Sequence, residues 1–150
     1  MKKLLIVFVL TFWAWMAFGE ERPLTESQEI VAMTILGEAR GEGEAGMYAV
    51  ACVISQRCIE WNKKPKNVCL KTQQFSCWNN RSDIAITRMH NLLYTKEGEY
   101  AKRLAVNLYS LDRGYVKNAD HYCTLKTQNY WTKGQKRVAT IGNHKFFKLR

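Results

Sequence analysis

The chain has no Cys-x-x-Cys pair, although it carries 5 cysteines. That argues against a zinc ribbon and against a thioredoxin-type redox centre. It has only 3 histidines (His90, His121 and His144), and no two of them share the i, i+4 spacing of a helical zinc site. No basic run is long enough to form a nucleic-acid arm, and no nucleic-acid-binding motif is present. Internal repeats and linker-like stretches are also lacking, so nothing calls for a second domain. Acidic residues are scarce: 13 against 23 lysines and arginines, a formal charge of +10. An excess of that size favours an anionic partner.

What is present suits one exported domain. Hydrophobic residues make up 47% of the 150, enough for a real core. Residues 1–19 read as a signal segment: Lys2 and Lys3, then an uncharged stretch from Leu4 to Phe18, then Ala17-Phe18-Gly19 as a cleavage point. The stretch is short for a membrane span. Its aromatics Phe12, Trp13 and Trp15 make an uncleaved anchor the alternative, and that anchor would be the sole membrane contact. Residues 20–150 then form the working domain, at +8 without Lys2 and Lys3. All five cysteines lie in it, so export permits disulfides and the odd count leaves one thiol over. Cys69–Cys77, Cys58–Cys69 and Cys77–Cys123 are open pairings.

The pattern is mostly helical. Thr25 and Gln28 form a capping box that starts a helix to about Ala39. Gly41 and Gly43 break it, and Ala45 to Ile59 forms a second helix, read as packing without chemistry. Trp61 to Asn80 reads as a loop. Ser82 caps a third helix to about Leu93, and Thr95 opens a fourth with Leu104, Leu108 and Leu111 on one face and Gly114 as its stop. Asn118 to Cys123 reads as extended, and Arg137–Ile141 and His144–Leu149 flank Gly142-Asn143 as a hairpin.

Glu38 draws attention because it continues the apolar stripe of Ile30, Val31, Thr34 and Ile35. Carboxylates are seldom buried without partners, and burial is how a glutamate becomes a general acid. Pairing with Arg40 or capping the next helix is the plainer reading. Gln73-Gln74-Phe75-Ser76-Cys77-Trp78-Asn79 mixes amides and aromatics, which suits either sugar binding or a braced loop that plugs the core. Two rival chemistries are a metal site on two histidines with Asp120 or Cys123, and a Cys–His peptidase using Cys77 or Cys123 with His121 or His144.

Gly37-Glu38-Ala39-Arg40-Gly41-Glu42, Ala49-Val50-Ala51-x-Val53-Ile54-x-x-Arg57 and Gln74-Phe75-Ser76 resemble the cell-wall hydrolases related to the spore cortex-lytic enzyme. So do Ala119-Asp120-His121-Tyr122, Trp131 and Ile141-Gly142-Asn143-His144-x-Phe146-Phe147, in the same order. Cys123 stands where relatives commonly have a second histidine, and a proline common before the tryptophan is missing. The first departure weighs against a histidine-rich metal centre.

The resemblance implies an α+β, predominantly helical, lysozyme-like single domain with a small C-terminal β-hairpin. It also implies an enzyme that cuts peptidoglycan glycan strands outside the cytoplasm, secreted or periplasmic, without a cofactor. Glu38 would be its catalytic acid and base. Gln74, Phe75, Ser76, His121, Tyr122 and Trp131 would line the glycan cleft. His144 would bond substrate or buttress the hairpin, Arg40 would hold a substrate carboxylate or pair with Glu44, and Glu42 would support the site. An amidase and a non-catalytic cationic wall-binding module are the alternatives.

Overall fold

The computed structural model describes residues 22–149, so the signal segment expected at residues 1–19 lies outside the described residues. The first helix, α1 (Glu26–Ala39), begins at the expected capping box: Gln28 N–H donates to Thr25 Oγ1 at 3.3 Å, and Thr25 N–H donates to Gln28 Oε1 at 2.9 Å. From Ile30 to Leu36 every residue is buried. The helix is therefore enclosed by α2 (Gly43–Glu60), α3 (Pro65–Cys69) and α5 (Lys96–Val106), which pack around it, and α4 (Asp83–Asn91) lies at its flank. A helix apolar on every side belongs in the middle of a core.

Several element boundaries differ from the sequence reading. The stretch read as a loop contains α3, started by Pro65 at its first position, where a missing N–H costs nothing. The fourth helix stops at Val106, so Leu108 lies in a separate 3₁₀ turn, Leu108–Ser110, and Gly114 in another, Arg113–Val116. The predicted hairpin forms from β2 (Arg137–Ile141) and β3 (His144–Phe147), but β1 (His121–Thr124) joins it. The result is a three-stranded antiparallel sheet of order β1-β3-β2, with Tyr122 opposite Phe146.

No disulfide forms. All five cysteines are free thiols. Cys52 and Cys69 are fully buried and Cys58 nearly so, each serving as a small apolar core residue. The loop for which a disulfide brace was one of two readings is fastened to α1 by hydrogen bonds.

Two glycines are required by close approach. A Cβ on Gly37 would lie 2.5 Å from Cys77 Cβ, so only glycine lets the 76–78 turn rest on the end of α1. Gly142 has φ +53°, and a Cβ there would meet Glu42 Oε2 at 2.5 Å. Glu42 accepts from Asn143 N–H at 2.8 Å and from Asn143 Nδ2 at 3.2 Å, tying the turn that follows α1 to the β2–β3 turn. These bonds hold its carboxyl below the usual range, the backbone bond from Asn143 most of all.

Candidate active site

Glu38 occupies the last turn of α1, half-buried at the wall of a cleft of about 530 Å³. Three donors converge on it. Ser76 Oγ donates to Oε1 at 3.0 Å, Cys77 N–H donates to Oε1 at 2.8 Å, and Tyr122 Oη donates to Oε2 at 2.8 Å. A carboxylate accepts at roughly four lone-pair positions, so these donors leave about one for a ligand.

Each donor has a local cause. Ser76 and Cys77 belong to the 3₁₀ turn Ser76–Trp78, whose Trp78 indole N–H donates to Thr34 Oγ1 at 2.9 Å. Thr34 and Glu38 stand one helical turn apart on α1, so a single face holds the 76–78 turn at two points. Gly37, between them, removes the side chain that would push the turn away. Gly37→Ala is therefore expected to cost about 1–3 kcal/mol of stability and to displace Cys77 N–H from Glu38. Thermal unfolding measures the cost; a variant as stable as wild type would contradict the packing described.

Tyr122 comes from β1. Burial raises its phenol well above the ordinary range, with the neighbouring Glu38 carboxylate acting in the same direction, so it stays a proton donor at neutral pH. The His144 ring meets Tyr122 edge-on at 5.2 Å and is buried, which places His144 as a buttress of the tyrosine within the cleft wall. His121 Nδ1 is 3.0 Å from Asp120 Oδ1, and the ring lies 5.4 Å from Trp131. Asp120 is fully buried, and Oδ1 also accepts from Leu149 N–H at 2.9 Å. Asp120 and Trp131 thus hold the imidazole in the cleft wall.

Of the residues singled out from the sequence, Glu38, Gln74, Ser76, His121, Tyr122, Trp131 and His144 line one cleft. Phe75 does not. It is 1% exposed and lies in the core under the Arg57 guanidinium, 5.0 Å from its ring centre, because Phe75 and Ser76 turn to opposite sides at the entry to the 3₁₀ turn. Arg40 is exposed in the Arg40–Glu42 turn and is not among the cleft-lining residues, since the chain leaves α1 at Ala39 before reaching it.

Arg57, Asn129 and Tyr130 line the cleft without having been read from the sequence as site residues, and Gln73 and Asn79 from the two ends of the amide-rich stretch line it too. Tyr130 is 92% exposed beside Trp131, an aromatic pair that pattern alone shows only as neighbours on a polar stretch.

The rival chemistries fare poorly here. Burial pushes the Cys77 thiol far above its normal range and raises that of Cys123, against the thiolate a peptidase needs. Among the described residues no three histidine, cysteine or carboxylate side chains gather as a metal site.

The sequence model of the cell wall hydrolase family matches residues 41–147, most of the chain. The protein is a member of the cell wall hydrolase family. This cell wall hydrolase is also similar in fold to two solved structures. The catalytic domain of the Bacillus cereus SleB protein overlaps 86% of this chain and 94% of its own at TM-score 0.64 and 23% identity. The catalytic domain of the germination-specific lytic transglycosylase SleB from Bacillus anthracis overlaps 86% and 99% at TM-score 0.62 and 22% identity. No curated protein gives a significant match. The expected family and the predominantly helical, lysozyme-like fold are thus borne out. Glu38 itself lies three residues ahead of the matched segment, so its role rests on the geometry of the cleft.

Proposed function

We propose that this cell wall hydrolase is an exported lytic transglycosylase that cuts peptidoglycan glycan strands with Glu38 as its single acid and base. The observation that carries the reading is that Glu38 is the one carboxylate among the described residues lining the cleft. Retaining and inverting glycosidases ordinarily need two carboxyl groups flanking the bond. A transglycosylase needs one, because the substrate supplies its own nucleophile.

In the first half of the reaction Glu38 gives its proton to the glycosidic oxygen as the C1–O bond breaks. In the second half the muramoyl 6-hydroxyl oxygen bonds to C1 and its proton returns to the Glu38 carboxylate, leaving a 1,6-anhydro end. The donors Ser76, Cys77 N–H and Tyr122 stabilise the carboxylate between the two halves, when its charge is fully developed. Sugar rings stack on Trp131, and Gln74 bonds their polar groups. The formal charge of +8 on residues 20–150 suits the anionic stem peptides of the wall, and the segment at residues 1–19 supplies export.

Mass spectrometry of purified peptidoglycan digested by the protein tests the reading. Anhydro-muramic ends are expected. New reducing ends would replace it with hydrolysis, and released peptides with an amidase. Wall binding without any product would leave only a binding module.

A further inference from the structure

Arg57 is a buried charge that the packing of α2 does not require. It is 3% exposed, yet it lines the cleft that holds Glu38. Its Nε donates to the Asp120 carbonyl at 2.6 Å, at the entry to β1. Its guanidinium also lies over the Phe75 ring at 5.0 Å and near the Trp61 ring at 5.4 Å. Its Nη1 has no hydrogen-bond partner among the described residues. Burying an arginine with a donor unsatisfied is costly, and replacing such a group by an apolar side chain is often harmless or stabilising. A residue kept at that cost is explained by what its charge and reach do.

The contacts lead to the same place from two sides. Asp120 precedes His121 and Tyr122, so the bond to its carbonyl sets the position of the strand that sends Tyr122 Oη to Glu38 Oε2. Phe75 precedes Ser76 and Cys77, so the stacked ring sets the turn that sends both of its donors to Oε1. Both walls that grip Glu38 are therefore fastened to one guanidinium. Arg57 also interacts electrostatically with the Glu38 carboxylate and with Tyr122.

We propose that Arg57 is a positioning residue for Glu38. It fixes the three donors and supplies a permanent positive charge that grows in value as Glu38 passes its proton to the leaving oxygen. The proposal rests on Glu38 acting as the acid. Its physical content is that a cation in a poorly solvated wall stabilises the carboxylate that forms during bond cleavage more than the neutral acid before it.

The charged and titratable groups around Glu38 are Tyr122 from β1, Cys77 from the 76–78 turn and Arg57 from α2, with His121 and His144 lining the same cleft. Tyr122 and Cys77 stay neutral at working pH, both raised by burial. Arg57 is the cation of that set, with the buried Asp120 carboxylate interacting with it from the entry to β1.

The test is kcat and KM of Arg57→Met and Arg57→Lys on purified peptidoglycan, alongside thermal unfolding. Arg57→Met should lower kcat at least tenfold with KM little changed, because the three donors and the cation act on the carboxylate that forms as the bond breaks. Arg57→Lys keeps the charge but loses the fork, so it should recover part of that loss and still fall short of wild type. A raised KM with kcat intact, or lower stability alone with kcat intact, would overturn the proposal. Should Arg57→Met fail to fold, a folded Arg57→Lys with wild-type kcat would overturn it equally. An inert wild type, or an active Glu38→Gln variant, would instead bring down the reading of Glu38, so the two failures are distinguishable.

Discussion

Glu38→Gln is expected to lower peptidoglycan cleavage by roughly 10²- to 10⁴-fold, the range for losing a positioned general acid, while leaving the fold in place. The argument is local. Glutamine keeps the length of the side chain and an amide oxygen able to accept from Cys77 N–H and Ser76 Oγ, the two bonds made by Oε1. The bond at Oε2 can reverse, with the new amide donating to the Tyr122 hydroxyl oxygen. The variant therefore keeps the packing around α1 and loses only the proton that, in the proposed mechanism, passes to the glycosidic oxygen. Clearance of wall suspensions measures the activity, and circular dichroism with thermal unfolding confirms the fold. Wild-type clearance by the variant would remove Glu38 from the chemistry. Because no other carboxylate lines the cleft among the described residues, there is no obvious group to rescue the reaction.

Glu38 was legible in the sequence as a candidate acid because helices have a short period. Thr34 and Glu38 lie four residues apart, and a carboxylate extending an apolar stripe is visible in one dimension. The capping box, the helix broken near Gly41 and the Gly142-Asn143 turn were visible for the same reason: each is written in consecutive residues. Contacts across the chain were not. Glu42 and Asn143 are 101 residues apart in sequence, and Tyr122 reaches Glu38 over a separation of 84. Nothing local announces either bond.

Arg57 shows the limit most clearly. Within α2 it occupies one position of a helix read from the sequence as packing without chemistry, and its partners are a carbonyl 63 residues away and the rings of Trp61 and Phe75, before and after α3. Those partners meet it only when the strand and the turn are in place around it. The cysteines mislead in the opposite sense. Their number and the expected export suggest cross-links, whereas Cys52, Cys58 and Cys69 are buried as small core residues.

Phe75→Ala is expected to destabilise the protein by about 3–5 kcal/mol, the range for deleting a large buried aromatic side chain. Phe75 is among the largest fully buried side chains, enclosed with the residues that surround α1. Its loss removes transfer free energy, opens a cavity and strips one ring from the Arg57 guanidinium. For a domain of this size the melting temperature should fall on the order of 10–20 °C. The same variant separates the two roles the sequence allowed for this residue. A ring that stacks on sugar from the cleft wall would, when removed, raise KM and leave stability nearly unchanged. A core ring that carries the 76–78 turn should lower stability sharply and, where the variant is still folded, lower kcat more than it raises KM, because Ser76 and Cys77 lose their fixed aim at Glu38. Phe75→Leu, which refills most of the space, should recover much of both. A raised KM with an unchanged melting temperature would return Phe75 to the substrate and leave the 76–78 turn resting on Trp78 and Thr34 alone.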